Sequence, residues 1–305
     1  MTNIKSEPLN QAAVEQVTGL SREVLRKWEL RYQFPAPVRG ARGQRLYTPA
    51  EVHKLQLIKS GVNRGWRPGK LVPLSAPALH DLLAAPVPAL DSAHLDVEVQ
   101  ALLDCLGPDA PPLKVRVYLK HLVKTRGLAH FVDQYLPAFN MAVGEAWASG
   151  HLGIHAEHHY TETVRYVVLR AMPSLPLTPA LPRVLMTTPP GELHGLGLLG
   201  LQAALMLQGA DCLSLGTQTP ALDVAQAVND LNVGVVAISV SICLSPPAVQ
   251  TYVLDLRQRL PVTCRLWVGG QGSAALGDQT CAGLDIIQST RQATQAWQQL
   301  AAQTP

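Results

Sequence analysis

The chain has 305 residues, more than one ordinary domain holds, which predicts two or three domains. Its 47% hydrophobic content can build a sizeable core, and the absence of any run of 18 or more apolar residues excludes a transmembrane helix. The formal charge of +3 is unevenly spread: residues 1–75 carry 13 Lys/Arg against 5 Asp/Glu, and the remainder carries 12 against 17. The opening MTNIKSEPLNQ lacks the apolar segment of a secretory signal. Five cysteines (105, 212, 243, 264 and 281), odd in number and without a CxxC pair, argue against a disulfide framework or a zinc ribbon. These features predict a cytoplasmic protein without membrane partners.

A basic head on an acidic body predicts that the first 75 residues meet a polyanion, most simply DNA, with an inert basic face as the alternative. Gln11–Val17 reads as a first helix, Thr18-Gly19-Leu20 as a tight turn, and Ser21 as the cap of a second helix through Leu30. Arg22 and Arg26, one helical turn apart, can face one groove. Arg39 to Tyr47 (RGARGQRLY) reads as a hairpin in which alternating Arg45 and Tyr47 point one way, as a wing needs for phosphates. The pattern TGLS, LRKWELRY, P-x-P, R-x-x-G-x-R-x-Y and a helix from Pro49 resembles the winged-helix domain of MerR-type regulators. That resemblance implies operator DNA as partner, Arg22, Arg26, Arg39, Arg42, Arg45 and Tyr47 as DNA contacts, and Trp28 as core. MerR relatives usually dimerise through a long helix after the wing, and prolines at 68, 73, 77, 86 and 88 forbid one here. Assembly is therefore expected to use the later domains.

Residues 76–97, rich in Ala and Pro, read as a linker. From 98 to 176 the apolar spacing is helical and predicts a four-helix bundle. From 182 to 305 short apolar runs alternate with helical stretches, with strands expected at Arg183–Thr188, Ala210–Leu215, Gly234–Ser239, Arg265–Val268 and Leu284–Ile287. Five such alternations predict a doubly wound, parallel α/β domain, in which ligands bind beyond the carboxyl ends of the strands. The fold expected is thus multidomain, α plus α/β.

The loop after the first of those strands reads Pro190-Gly-Glu-Leu-His-Gly-Leu-Gly197. A dinucleotide fingerprint fits poorly, because only GLG remains and no acid follows the second strand. An isolated histidine in such a loop is ordinarily a solvated or packing residue. The acid-x-His-x-x-Gly pattern, however, resembles the flavodoxin-like cobalamin-binding domain of methionine synthase and the mutases. The resemblance implies His194 as the axial ligand of cobalt, Glu192 orienting it, Gly197 admitting the corrin, and Ser239, Gly269 and Gly270 lining the groove for the nucleotide tail. Glu192 stands where Asp is usual, and Ser239-Val240-Ser241 departs from Ser-x-Leu at Ser241, for which the resemblance implies a contact to the cofactor's nucleotide.

Trp147 followed by Glu157-His158, placed between a MerR-like head and a cobalamin-like domain, resembles the CarH/LitR class of photoreceptor repressors. This implies adenosylcobalamin as chromophore, with Trp147, Glu157 and His158 over its upper face. It further implies a homo-oligomer on operator DNA in the dark, a dimer of dimers, released when light breaks the cobalt–carbon bond. Members of the class often carry His directly after the Trp, and here that position is Ala148. His151, His155, His158 and His159 lie nearby as possible substitutes, solvated side chains or, as a third reading, a zinc site. The alternative function is a cobalamin-responsive repressor indifferent to light. A mutase or methyltransferase would need a barrel of about 250 residues, for which the chain has no room.

Overall fold

The computed structural model describes residues 8–41, 43–63, 66–84, 92–173, 180–277 and 281–303. The head begins with β1 (Leu9–Asn10), α1 (Gln11–Thr18) and α2 (Arg22–Tyr32). Local chemistry sets these boundaries. Asn10 caps α1 by accepting from the Ala13 amide at 3.0 Å, Gly19 ends it at φ 64°, and Ser21 caps α2 through the Val24 amide. The wing follows as β2 (Val38–Arg39) and β3 (Arg45–Tyr47), antiparallel, with β1 pairing on the other side of β3. That third strand is two residues long, too short to leave a periodicity in the sequence.

From β3 the chain enters α3 (Pro49–Asn63), then the short helices α4 (Pro68–Leu71) and α5 (Ala76–Ala84). Val14, Leu25, Trp28, Leu55, Ile58, Leu71 and Leu79 share one core with Tyr47. The stretch read as a linker, 76–97, is therefore helical at both ends. α5 contributes Leu79 to the head, and α6 (Ser92–Leu106) opens the bundle.

One expectation for the wing is corrected by its packing. Tyr47 is not a DNA contact: it is 1% exposed, because β3 turns its ring onto the head core. Arg45, two residues away, stays partly exposed, and its Nη2 donates to Glu29 at 3.3 Å.

The bundle continues with α7 (Lys114–Arg126) and α8 (Leu128–His130), which runs through a π-helical turn, Phe131–Tyr135, into α9 (Leu136–Ala148). It closes with α10 (Ile154–Ala171). Phe131, Tyr135 and Phe139 meet at centroid distances of 5.8–6.5 Å and fill the centre.

The last unit alternates β4 (Ala180–Thr187), α11 (Leu196–Met206), β5 (Ala210–Ser214), α12 (Ala221–Leu231), β6 (Val235–Ser239), α13 (Pro246–Arg259), β7 (Arg265–Gly269), β8 (Leu284–Ile287) and α14 (Thr290–Gln303). Between β7 and β8 the connection is a 3-10 turn, Gln271–Leu276, in place of a full helix. The strands are parallel in the order β5-β4-β6-β7-β8, so the order reverses beside β4 and opens a crevice between β4 and β6.

Bundle and sheet share a core. Leu199, Ala203 and Ala204 of α11, with Leu207 just beyond it, pack with Val132, Leu136, Val164 and Val168. Gly200 permits this approach, since a Cβ there would meet Leu136 Cδ2 at 3.0 Å.

The burial of Tyr47 gives a direct test. Tyr47→Ala should destabilise the head by about 3–5 kcal/mol in urea denaturation, the usual cost of deleting a buried ring. Tyr47→Phe should keep both the fold and the DNA affinity, an outcome incompatible with a hydroxyl contact to phosphate.

Candidate functional site

The loop that follows β4 is folded by its own polar groups. Thr188 is buried; its Oγ1–H donates to the Glu192 carbonyl at 2.6 Å, and Oγ1 accepts from the Gln218 amide at 2.9 Å. Gly191 supplies a positive φ of 84°. The result drives the Glu192 side chain inward, where the residue is 1% exposed.

Three donors converge on that carboxylate. Oε1 accepts from the His194 amide at 2.9 Å and from His194 Nδ1 at 2.6 Å, while Oε2 accepts from the Ser241 amide at 2.7 Å. Burial pushes the Glu192 pKa up, but the hydrogen bonds from Ser241 and His194 outweigh it and hold the carboxyl below its usual range. An ionised acceptor on Nδ1 fixes the tautomer, leaving the Nε2 lone pair available. The imidazole itself is 65% exposed, and Nε2 has no hydrogen-bond partner among the described residues. His194 thus presents a pre-oriented imidazole beyond the carboxyl end of β4.

Around it the crevice is kept narrow and open. A Cβ on Gly197 would stand 3.3 Å from Ser239 Oγ, across the cleft between α11 and the end of β6. Gly269 and Gly270 are required by the chain itself. A Cβ on Gly270 would come within 2.3 Å of the Val240 carbonyl, and one on Gly269 within 2.8 Å of the Ile287 carbonyl. Ser241 supports Glu192 through its amide, and its Oγ lies 3.4 Å from His194 Nδ1. Leu193, Leu215 and Ile242, at the ends of β4, β5 and β6, are exposed and form an apolar rim. Sequence reasoning missed this rim and the Thr188 anchor; large apolar residues in loops directly after strands were the available signal.

The cap residues lie on the bundle. Trp147 ends α9 with half its surface exposed. Glu157 and His158 occupy the first turns of α10, hydrogen-bonded to each other, with Thr161 Oγ1 donating to Glu157 Oε1 at 2.9 Å. Two turns on, Arg165 reaches within 4.0 Å of where a Gly195 Cβ would stand, so α10 runs beside the His194 loop. No hydrogen bond joins the cap residues to His194 among the described residues. Ala148 is exposed, as are His151, His155, His158 and His159. His151 Nδ1 lies 2.8 Å from Ser149 Oγ, and His159 Nε2 lies 2.8 Å from the Pro112 carbonyl. Among the described residues no three His, Cys, Asp or Glu side chains stand together to hold a metal ion, so the zinc reading finds no site.

On the head, Arg22 and Arg26 are exposed on α2, and Arg39 is exposed on the wing, where its Nη1 donates to the Gly43 carbonyl at 2.9 Å. Arg42 lies outside the described residues. No described helix is long and apolar enough to cross a membrane.

These units correspond to known proteins. Residues 11–70 match the MerR HTH family regulatory protein model. The remainder has the fold of corrinoid proteins: the Methanosarcina barkeri monomethylamine corrinoid protein superposes with a TM-score of 0.50 at 13% identity, covering 69% of this chain and 100% of that one. The molecule thus joins a head that matches the MerR model to a helical bundle and a parallel sheet with the fold of that corrinoid protein. Two Myxococcus xanthus proteins are similar to nearly all of it. The HTH-type transcriptional repressor CarH is 29% identical over 84% of this chain and 86% of its own length. The HTH-type transcriptional repressor CarA is 24% identical over 85% of each. The likeness to both repressors thus runs through the head, the bundle and the sheet.

Glu192 carries a pH prediction. Its folded pKa is depressed, so the stability it contributes is present above the unfolded value of about 4.3 and is lost as pH falls through the folded pKa. Glu192→Gln offers one acceptor to donors that now meet two, and should cost about 1–3 kcal/mol at neutral pH. Urea midpoints should show that difference shrinking in acid.

Proposed function

We propose that the chain is a transcriptional repressor that binds operator DNA with its head and adenosylcobalamin between bundle and sheet, and that visible light relieves repression. The observation that carries the cofactor assignment is the exposed His194 imidazole held by the buried, ionised Glu192. An imidazole whose Nδ1–H donates a hydrogen bond to a carboxylate is a strong ligand through Nε2. The cradle fits as well, because the missing Cβ at Gly197 leaves the crevice open beside Ser239. His194 would hold cobalt, while Ser239, Gly269 and Gly270 would line the nucleotide groove, with Ser241 bracing Glu192. Trp147, Glu157 and His158 would cover the opposite face.

When bound, this cofactor supplies a cobalt–carbon bond that visible light breaks. The chain's part is mechanical. Trp147 offers a half-exposed ring as apolar cover, and its bundle packs on α11, the helix that opens two residues after His194. A change in what the cap covers therefore shifts the bundle against the sheet. The short α4 and α5 replace a long dimerising helix, so the homo-oligomer, a dimer of dimers in the dark, would assemble through these two domains. Heads tethered together gain on the order of 10²–10⁴ in avidity, so disassembly alone releases an operator. The likeness to two repressors supports regulation rather than catalysis, in the cytoplasm.

Ala148 favours a second reading, a cobalamin-responsive repressor indifferent to light, because a methyl group has no lone pair to hold a lit state. Sedimentation of the adenosylcobalamin complex before and after green illumination separates the two: the light-responsive protein falls apart, the other does not. His194→Ala should weaken cobalamin binding and leave residual cofactor carrying its own benzimidazole. An absorption spectrum with imidazole ligation intact in that variant would remove His194 from cobalt.

A further inference from the structure

The outer face of α7 is basic for a reason that neither the cofactor site nor the head explains. The helix reads KVRVYLKHLVKTR, with Lys114, Arg116, Lys120, Lys124 and Arg126 and no acidic residue. Arg116, Lys120 and Lys124 recur every fourth position, so they share one stripe about 12 Å long. Arg170 of α10 joins them. Three cations surround the exposed Tyr166 ring: Lys120 Nζ lies 5.2 Å from the centroid, Arg116 Cζ 5.5 Å and Arg170 Cζ 6.0 Å. None of the three forms an ion pair among the described residues. The nearest acid on α10, Glu162, is engaged with Arg165 at 3.6 Å. The ring face attracts each cation, but the three repel one another, and an anion placed between them would relieve that repulsion.

We propose that this face of the bundle contacts the phosphate backbone of the duplex that the head binds. The inference rests on the DNA-binding reading of the head, and two observations point to this occupant. The first is charge: a carboxylate-free row of Arg and Lys at helical spacing matches a strand of phosphates. The second is reach. Arg126, at the end of α7, lies 3.7 Å from Glu98 and 2.8 Å from His94, beside the start of α6 where the chain arrives from the head. Seven residues, 85–91, separate α5 from α6, a span of at most about 25 Å. The stripe therefore begins at the tethered end of the bundle, within reach of DNA leaving the head. The exposed Val117 and Leu169 flank the stripe and make a second copy of the chain the competing occupant.

The test uses the full chain with R116Q/K120Q/R170Q, a charge-preserving control, R116K/K120R/R170K, and the head variant R22Q/R26Q. Binding to a random-sequence duplex of about 40 base pairs is titrated with salt, with sedimentation in parallel. Three lost phosphate contacts should make the log–log slope shallower by about 2–3, at unchanged self-association, while the control keeps the wild-type slope. An unchanged slope in the triple variant overturns the inference. A slope that changes only together with lost self-association assigns the face to a second copy and overturns it too. If R22Q/R26Q lowers the slope and the triple variant does not, the head reading survives alone; if the wild-type chain binds no duplex, both fail.

Discussion

A carboxylate taken out of water must be given back the hydrogen bonds it loses, and the organisation of the candidate site follows from how Glu192 meets that demand. Its three donors come from two places far apart in sequence, the His194 main chain and ring and the Ser241 amide. Satisfying the charge therefore pins the loop after β4 to the loop after β6, across the crevice where the strand order reverses. The same bonds orient the imidazole. Orientation and loop closure are one interaction, so the ligand cannot be misplaced without unpairing a buried charge, which is among the costliest local defects a fold can carry.

The second element is the shared core of bundle and sheet. α11 is apolar nearly all round because it is covered twice, by the sheet through Leu198 and Leu205 and by the bundle through Leu199 and Ala203. The π-helical turn at Phe131–Tyr135 adds polar fixings on the far side. Asp133 accepts from Thr290 Oγ1 at 2.8 Å and from Arg291 at 3.3 Å, at the start of α14. One end of the bundle is thus held by both packing and charge, while the Trp147 end carries an exposed ring.

Much of the architecture was legible from the residues alone. Five apolar runs separated by helical stretches required a parallel sheet, and their boundaries agree with the structure to within a few residues. Asn10, Gly19 and Ser21 mark the helix-turn-helix because caps and a positive φ are chemical requirements of those positions. The Glu192-x-His194 spacing and the glycine at 197 stood out for the same reason: short-range geometry is written in adjacent residues.

What the sequence could not decide concerns faces and partners distant along the chain. Period-two alternation put Arg45 and Tyr47 on one side of a strand, but only the packing of α1, α2 and α3 put the Tyr47 ring in the core. The composition of 76–97 looked like a linker, yet Leu79 found a hydrophobic surface built by residues earlier in the chain. That Ser241 braces Glu192 could not be read until the fold brought its amide to a carboxylate 49 residues away. Local propensity, spacing and charge determined the elements, their order and the ligand-bearing loop. Burial and long-range hydrogen bonds arise only when separate segments meet, and so the tertiary structure alone decided which faces were covered and which groups braced the site.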